Sequence, residues 1–211
     1  MFPVVLKSNG WKAAVFGGGK VAERRVIKLL KAGMLVEVFS REFTEGLVKN
    51  MNPCLTLITV DLKKGMIGVE GYNLIFIATD DASLNDKIEG HAKAKGGLVN
   101  RADKVSDFIV PATLEMDDVT ISVSTTGKSP AMAKEIKKRL KKVLTKEDLL
   151  SVELQEYARE MLKEKVKNQD RRRAFLREIM RDIEVTGLLG KGDVEKARKA
   201  IRRAVHAYSE H

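Results

Sequence analysis

The chain has little cysteine, few aromatic residues and no long apolar run. Cys54 is the only cysteine among 211 residues, so no intrachain disulfide can form, and one thiol with three scattered histidines makes no recognisable structural zinc site. No stretch approaches the roughly 20 apolar residues that span a bilayer, and the first residues lack the basic region and cleavage site of a signal peptide. We therefore expect a cytoplasmic protein, without a membrane partner, that is stabilised by packing.

The two signs of charge are balanced in the first part of the chain but not in the second, where basic residues are in excess. The net charge is +10, and residues 131–211 carry 22 Lys and Arg against 14 Asp and Glu, whereas residues 1–130 carry 17 against 15. Such an excess attracts anions, although the solvated faces of charged helices would show the same composition. Aromatic residues make up only 5% of the chain and no groove-reading motif is present, so we expect no nucleic-acid partner.

Strand and helix patterns alternate in the first part of the chain. A short apolar run meets a glycine cluster, a helix pattern then closes at Gly33, and a second strand completes a βαβ unit. The predicted strands are residues 11–16, 35–39, 55–60, 74–78, 97–100 and 119–124, and the predicted helices are residues 21–30 and 85–95. Strands that alternate with helices predict an α/β fold with a Rossmann-type doubly wound parallel sheet.

Charged helices replace the strand patterns after Pro130. Ser129 is a natural N-cap for a helix at residues 131–143. Apolar residues then recur at helical spacing, namely Leu150, Leu154, Tyr157 and Met161 in one segment and Phe175, Ile179 and Ile183 in another. We predict a glycine-rich break at residues 187–192 and a last helix that Asp193 caps. The apolar stripes indicate helix cores, although a dimer interface would use the same pattern.

The glycine cluster fits a dinucleotide-binding turn. Gly17, Gly19 and Ala22 match the spacing Gly-x-Gly-x-x-Gly/Ala, in which the first glycine permits a tight turn and the second lets a pyrophosphate approach the backbone. The backbone amides of Lys20, Val21 and Ala22 then begin a helix and point at the phosphates. With a strand before and a helix after it, the turn predicts nucleotide binding.

The choice between NAD and NADP stays open at the second strand. Ser40 and Arg41 stand where an acidic residue usually binds the ribose, and Glu42 follows. Arg41 could accommodate the 2′-phosphate of NADP, whereas Glu42 could hold NAD. After a later strand, Thr79 is a predicted cofactor neighbour, while Asp81 fits a capped turn equally well.

Five short segments carry a more specific pattern. They are VFGGGKVAERR at residues 15–25, ATDD at residues 78–81, VNRAD at residues 99–103, DFIVPA at residues 107–112 and STTGKSP at residues 124–130. Together they resemble the precorrin-2 dehydrogenase family, which includes the siroheme synthases. The resemblance runs over about residues 2–143 and continues more loosely in the helical tail; a generic Rossmann domain would share only the first segment.

The resemblance implies an activity and an assembly. The activity is the NAD-dependent oxidation of precorrin-2 to sirohydrochlorin on the route to siroheme, followed in some members by insertion of a transient ferrous ion, a lyase reaction. The assembly is a homodimer whose central region and helical tail help to form the tetrapyrrole cleft. We expect an NAD-binding domain at residues 1–112, a central dimerisation region at residues 113–144 and a small helical C-terminal domain at residues 145–211.

The resemblance also implies site residues. Asp103 matches the family's key aspartate and is the predicted catalytic residue, because a carboxylate beside the nicotinamide can accept or relay the proton that leaves with the hydride. Asn100, Lys128 and Ser129 are predicted to bind the polycarboxylate substrate. Simpler readings remain open: a solvated turn residue for Asp103, a helix cap for Ser129 and an ordinary surface lysine for Lys128.

Two residues depart from the family pattern. Arg101 occupies a place that is usually apolar in the family, and it could engage a carboxylate or point to solvent. Thr126 stands where glycine or asparagine is frequent.

Neither metal binding nor a non-catalytic role is favoured by the residues. His91, His206 and His211 show no ligand spacing, so we predict no protein-bound metal. A regulatory NAD-binding module would explain the glycine turn, but it would leave Asp103 and residues 125–130 without a purpose.

Overall fold

A computed structural model describes residues 1–65 and 68–210 of the chain. The chain divides into two compact units, Met1–Val110 and Pro111–His211. No helix within the described ranges is both long enough and apolar enough to cross a membrane.

The first unit is a five-stranded parallel sheet with helices on both faces. The strands are β1 (Lys12–Phe16), β2 (Leu35–Ser40), β3 (Leu55–Thr59), β4 (Leu74–Ile77) and β5 (Leu98–Arg101), and the helices are α1 (Lys20–Lys31), α2 (Glu45–Val48) and α3 (Ala82–Ala94). The strand order is β3-β2-β1-β4-β5, and every pairing is parallel. The predicted Rossmann-type doubly wound sheet is therefore confirmed.

Alternating side chains of β1 explain why both faces are covered. Ala13 and Val15 pack with Val26 of α1 on one face, whereas Ala14 and Phe16 pack on the other face, toward α3. All four of these β1 residues are buried. A strand that is buried on both sides needs a continuous apolar run, which is the pattern of the segment before the glycine cluster.

The second unit begins with a hairpin and continues as helices. Strands β6 (Ala112–Met116) and β7 (Val119–Val123) pair in an antiparallel ladder, and the helices are α4 (Pro130–Val143), α5 (Lys146–Lys165), α6 (Gln169–Ile179), α7 (Ile183–Gly190) and α8 (Val194–Ser209). The sequence pattern predicted β7 but missed β6. The hairpin turn places Asp117 at a positive φ of 46°, a conformation that aspartate tolerates better than most residues.

The predicted break at residues 187–192 is wrong over most of its length. Helix α7 continues through Gly187 to Gly190, because Val185 and Leu189 on its buried face pack into the helical core and outweigh the low helix propensity of glycine. The turn is confined to the two residues before Asp193, where Gly192 has a positive φ of 72°.

Ile183 does not extend the apolar stripe of Phe175 and Ile179. Helix α6 ends at Ile179, and α7 begins at Ile183 after the Asp182 side chain accepts a hydrogen bond from the Val185 amide. Ile179 is 6% exposed, whereas Ile183 is 88% exposed. The new helix start rotates Ile183 away from the core.

The two isoleucines give a matched test of the helical unit. Ile179→Ala should lower the free energy of unfolding by about 2–5 kcal/mol, because it leaves a cavity in a packed core. Ile183→Ala should change it by less than about 0.5 kcal/mol. Urea unfolding followed by circular dichroism measures both values, and equal losses would show that the two side chains share one buried stripe.

Candidate active site

A cleft of about 700 Å³ opens at the carboxyl edge of the parallel sheet. It lies where the strand order reverses between β1 and β4, which is where doubly wound sheets bind ligands. Its volume is in the range of roughly 300–1,000 Å³ that is typical of small-molecule sites. Five residues of the predicted cofactor set line it, namely Gly17, Gly19, Arg41, Glu42 and Thr79.

Three glycines form the turn, and they have different physical reasons to be glycine. Gly17 has a φ of 114°, and a Cβ on it would lie 2.5 Å from the carbonyl oxygen of Ala78. A Cβ on Gly18 would lie 1.9 Å from the carbonyl oxygen of Glu42. A Cβ on Gly19 would meet nothing within 4 Å. Gly17 and Gly18 are therefore required by packing, whereas Gly19 leaves the backbone open to a ligand.

The first turn of α1 supplies backbone donors at the end of this turn. Gly19 is the N-cap and provides no side-chain cap, so the amides of Lys20, Val21 and Ala22 have no intrahelical acceptor. Ala22 is fully buried against the sheet, while the Lys20 ammonium is exposed and lies 3.4 Å from Glu23 Oε2. This arrangement fits the pyrophosphate of a dinucleotide.

Arg41 is paired with a carboxylate that the sequence pattern did not single out. Its Nη2 donates to Oδ2 of Asp61 at 2.5 Å, and this hydrogen bond lowers the pKa of Asp61. Asp61 follows β3 and also lines the cleft. Because Asp61 offsets the charge of Arg41, the pair attracts a 2′-phosphate less than a free arginine would, which favours NAD at this edge.

Thr79 is joined to Asp103 through a buried amide. Thr79 Oγ1 donates to Asn85 Oδ1 at 2.6 Å, and Asn85 Nδ2 donates to Asp103 Oδ2 at 3.3 Å. Asn85 is 2% exposed and lies in the first turn of α3, which starts at Ala82, three residues before the predicted start, because Asp81 caps it. The position of Asn85 connects the cofactor cleft to the predicted catalytic residue.

Asp103 follows β5 and is held by Arg101. Arg101 Nε donates to Oδ1 of Asp103 at 2.9 Å, and Nη2 donates to Oδ2 at 2.5 Å. These hydrogen bonds lower the pKa of Asp103 to about 2 against the opposing effect of burial, with a further contribution from Asn85. Of the two readings that the sequence left open for Arg101, the structure supports the engagement of a carboxylate.

Two acidic residues of α3 complete the surroundings of Arg101. Asp86 and Glu89 both accept hydrogen bonds from its Nη1, the bond to Glu89 at 2.9 Å. Burial alone would raise the pKa of Glu89, but hydrogen bonds from Lys93, Ser106, Lys104 and Arg101 outweigh it and hold that pKa well below the usual range. The cluster was not predicted, although the spacing of Asp86 and Glu89 places both on one helix face.

Asn100 is buried and serves the loop after β5. It is 5% exposed, and its Nδ2 donates to the carbonyl oxygen of Phe108 at 2.8 Å. The Phe108 ring packs edge-on against Phe76 of β4. Asn100 thus fastens the loop that carries Asp103 to the sheet, and its predicted contact with substrate remains a prediction.

The remaining predicted substrate residues lie in the second unit. Ser129 Oγ accepts from the Met132 amide at 3.3 Å and caps α4, while the Lys128 side chain is exposed. Thr126, two residues before Lys128, has a positive φ of 54°, the region that favours glycine or asparagine. The turn geometry therefore accounts for the residue types that are frequent at this place.

Possible metal ligands are dispersed. Within residues 1–65 and 68–210, no group of three or more His, Cys, Asp and Glu side chains could hold a metal ion. His91 lines a second cavity of about 410 Å³, and His206 pairs with Glu210 at 3.1 Å. His211 lies outside the described residues.

Comparisons with known proteins place the chain in a family. A family model described as "Putative NAD(P)-binding" matches residues 4–112, and one described as "Sirohaem biosynthesis protein central" matches residues 117–142. The "Putative precorrin-2 dehydrogenase" of Methanocaldococcus jannaschii is 36% identical over 190 residues, which cover 85% of this chain and 89% of that protein. The chain belongs to the precorrin-2 dehydrogenase family. The resemblance in the sequence is therefore confirmed, and so is the predicted cofactor class.

Other members of the precorrin-2 dehydrogenase family extend the match to nearly the whole chain. The "Precorrin-2 dehydrogenase" of Methanosarcina barkeri is 30% identical over 210 residues, covering 96% of this chain and 91% of that protein. The solved structure "SirC, precorrin-2 dehydrogenase" has a TM-score of 0.75 and 22% identity, and it covers 96% of this chain and all of that chain. At that identity the solved structure shows that the fold is shared.

The glycine turn predicts different consequences for two neighbouring substitutions. Gly19→Ala should leave the unfolding temperature unchanged, since its Cβ meets open space, but it should weaken NAD binding at least about tenfold because the methyl group occupies the approach of the pyrophosphate. Gly18→Ala should instead lower the unfolding temperature. Calorimetric NAD titration and thermal melts separate the effects, and unchanged NAD affinity in Gly19→Ala would contradict this role.

The carboxylates of Glu89 and Asp103 make stability depend on pH. Because folding lowers the pKa values of Glu89 and Asp103, the stability that they contribute is present above pH 5 and is lost as the pH falls toward 2. Glu89→Gln should cost about 1.5–3 kcal/mol at pH 7 and should flatten the fall between pH 5 and 3. The fluorescence of Trp11, the only tryptophan, reports unfolding of the first unit.

The exposed Glu45→Gln in the same unit is the control for Glu89→Gln. It should keep the wild-type dependence on pH, because its ion pair with Lys49 lies in solvent. A wild-type slope in Glu89→Gln would show that the cluster does not carry the effect.

Proposed function

We propose that this protein oxidises precorrin-2 to sirohydrochlorin with NAD as the hydride acceptor. The observation that carries the proposal is the hydrogen-bonded path from Thr79 in the cofactor cleft through Asn85 to Asp103. It brings an ionised carboxylate next to the part of the cleft where the sheet would present a nicotinamide. The membership of the chain in the family supports the same substrate.

The reaction balances with one hydride and one proton. NAD, when bound, takes a hydride from the reduced macrocycle and becomes NADH. The macrocycle also loses a proton, so precorrin-2 and NAD⁺ give sirohydrochlorin, NADH and H⁺. The chain must therefore orient the macrocycle, stabilise positive charge as the hydride departs, and give the proton a way out.

Each predicted site residue has a proposed task. Backbone groups of the turn and of the first turn of α1 hold the pyrophosphate, namely Gly17, Gly19, Lys20, Val21 and Ala22. Arg41, Glu42 and Thr79 hold the ribose and nicotinamide ends. Asp103 faces the reacting macrocycle. Asn100, Lys128 and Ser129 are the proposed partners of the substrate carboxylates, and Lys128 offers an exposed ammonium for one of them.

We also propose a homodimer in the cytoplasm. Helix α4 exposes Met132 (47%) and Val143 (71%), apolar side chains that an interface would cover. They lie in the proposed dimerisation region, residues 113–144, between the NAD-binding domain at residues 1–112 and the helical domain at residues 145–211. We further propose that a ferrous ion is a transient substrate for insertion into sirohydrochlorin, and within the described residues no cluster of ligands would hold it as a resident metal.

Turnover tests the proposal directly. Protein supplied with precorrin-2 and NAD should form sirohydrochlorin, followed by its absorbance, and Asp103→Ala should lose at least about 100-fold in rate because it removes a charge next to the reacting centre. Glu45→Ala, which removes an exposed carboxylate of the first unit, should keep the wild-type rate.

Two outcomes limit the proposal. Absence of turnover with both NAD and NADP would refute the dehydrogenase activity. Ferrous or cobalt ion insertion into sirohydrochlorin at the rate of a protein-free mixture would exclude the chelatase activity.

A further inference from the structure

Arg101 is a buried cation surrounded by carboxylates. Its side chain is 2% exposed, and it contacts Asp86 and Glu89 of α3 as well as Asp103. All three of its nitrogens donate to these groups. A guanidinium in this position cannot reach a substrate in solvent, so its effect on catalysis must pass through a neighbour.

The geometry of the pair fixes the Asp103 carboxylate. Arg101 donates one bond to each oxygen, which is the bidentate arrangement that sets the plane of a carboxylate. Oδ2 accepts a second bond from Asn85. The Asp103 side chain is 37% exposed, so the fixed carboxylate is accessible to a ligand.

We propose that Arg101 is a positioning residue that holds Asp103 as a fixed anion. During precorrin-2 oxidation Asp103 then stabilises positive charge and does not accept a proton. This inference rests on the proposed function. As the hydride leaves, the macrocycle gains positive charge, and a fixed carboxylate stabilises that charge without reorganising. The proton then passes from the macrocycle to water, so no proton has to be stored on Asp103 and the overall reaction stays balanced.

The acid–base character of Asp103 agrees with this role. A general base works best when its pKa is near the working pH, and the hydrogen bonds from Arg101 hold the pKa of Asp103 at about 2. Asp86 and Glu89 from α3 also face the guanidinium, and Lys104 faces those two carboxylates. Lys93 and Ser106 both donate hydrogen bonds to Oε1 of Glu89.

Lys104 offers a matched control for Arg101. It pairs with Asp86 and Glu89 at 3.0 Å each, and among the described contacts it does not pair with Asp103. Lys104→Met therefore removes a cation from the same cluster without releasing the carboxylate. Arg101→Lys keeps the charge and loses the bidentate bond.

The experiment compares wild type, Arg101→Lys and Lys104→Met as full-length proteins. Arg101→Lys should lower kcat about 10- to 100-fold, with the KM for NAD changed less than about twofold, because the carboxylate is misplaced. Its rate should also acquire an acid limb at higher pH than in wild type. Lys104→Met should stay within about twofold of wild type in kcat. Equal behaviour of the two variants would overturn the inference.

A direct titration keeps the test valid even if a variant folds poorly. The carboxyl carbon of Asp103, assigned by NMR in the wild-type protein, should titrate well below pH 3.5, and a midpoint of 4 or above would overturn the inference. A wild-type protein without turnover overturns the proposed function and the catalytic role together. Turnover in wild type, with Arg101→Lys equal to Lys104→Met, overturns this inference alone.

Discussion

The parallel pairing of β1 with β4 and of β4 with β5 is the constraint on which the site depends. Parallel strands end at the same edge of a sheet, so the register places the glycine turn after β1, Thr79 after β4 and Asp103 after β5 side by side. The apolar cores on both faces hold this ladder. Backbone pairing therefore brings these three parts of the site together, independently of any contact between polar side chains.

Ion pairs then orient the side chains that the parallel strands bring together. The buried guanidinium of Arg101 has to be compensated, and the carboxylates of α3 and of the loop after β5 provide the compensation. The same hydrogen bonds orient Asp103, so one cluster both compensates the buried charge of Arg101 and positions the proposed catalytic residue. At the other end of the cleft, Arg41 and Asp61 offset each other, and this balance leaves the backbone donors of α1 as the main attraction for phosphate.

Local patterns in the sequence predict much of this architecture. The glycine spacing, the apolar strands and the caps at Ser129 and Asp193 depend on neighbours within a few residues, and the structure shows them as predicted. The predictions were wrong where tertiary packing determines the extent of a helix or the burial of a side chain. Helix α7 contains two glycines because its apolar face is buried, and Ile183 leaves the stripe because a new helix starts there.

The supporting residues of the site could not be predicted in the same way. Asn85 and Arg101 acquire their partners only when α3 packs beside β5, and the separation along the chain hides that contact. Gly18 occupies a variable place in the fingerprint, and the carbonyl of Glu42 that requires a glycine there comes from another strand end. Such tasks depend on contacts between elements and leave only weak local signals.

Hydride transfer from precorrin-2 to NAD can be followed with precorrin-2 that carries deuterium at the carbon to be oxidised. NADH and sirohydrochlorin are then analysed together by mass spectrometry. Direct transfer should give one deuterium on each NADH and one NADH for each sirohydrochlorin. Sirohydrochlorin that forms without NADH, or NADH that carries no deuterium, would contradict it.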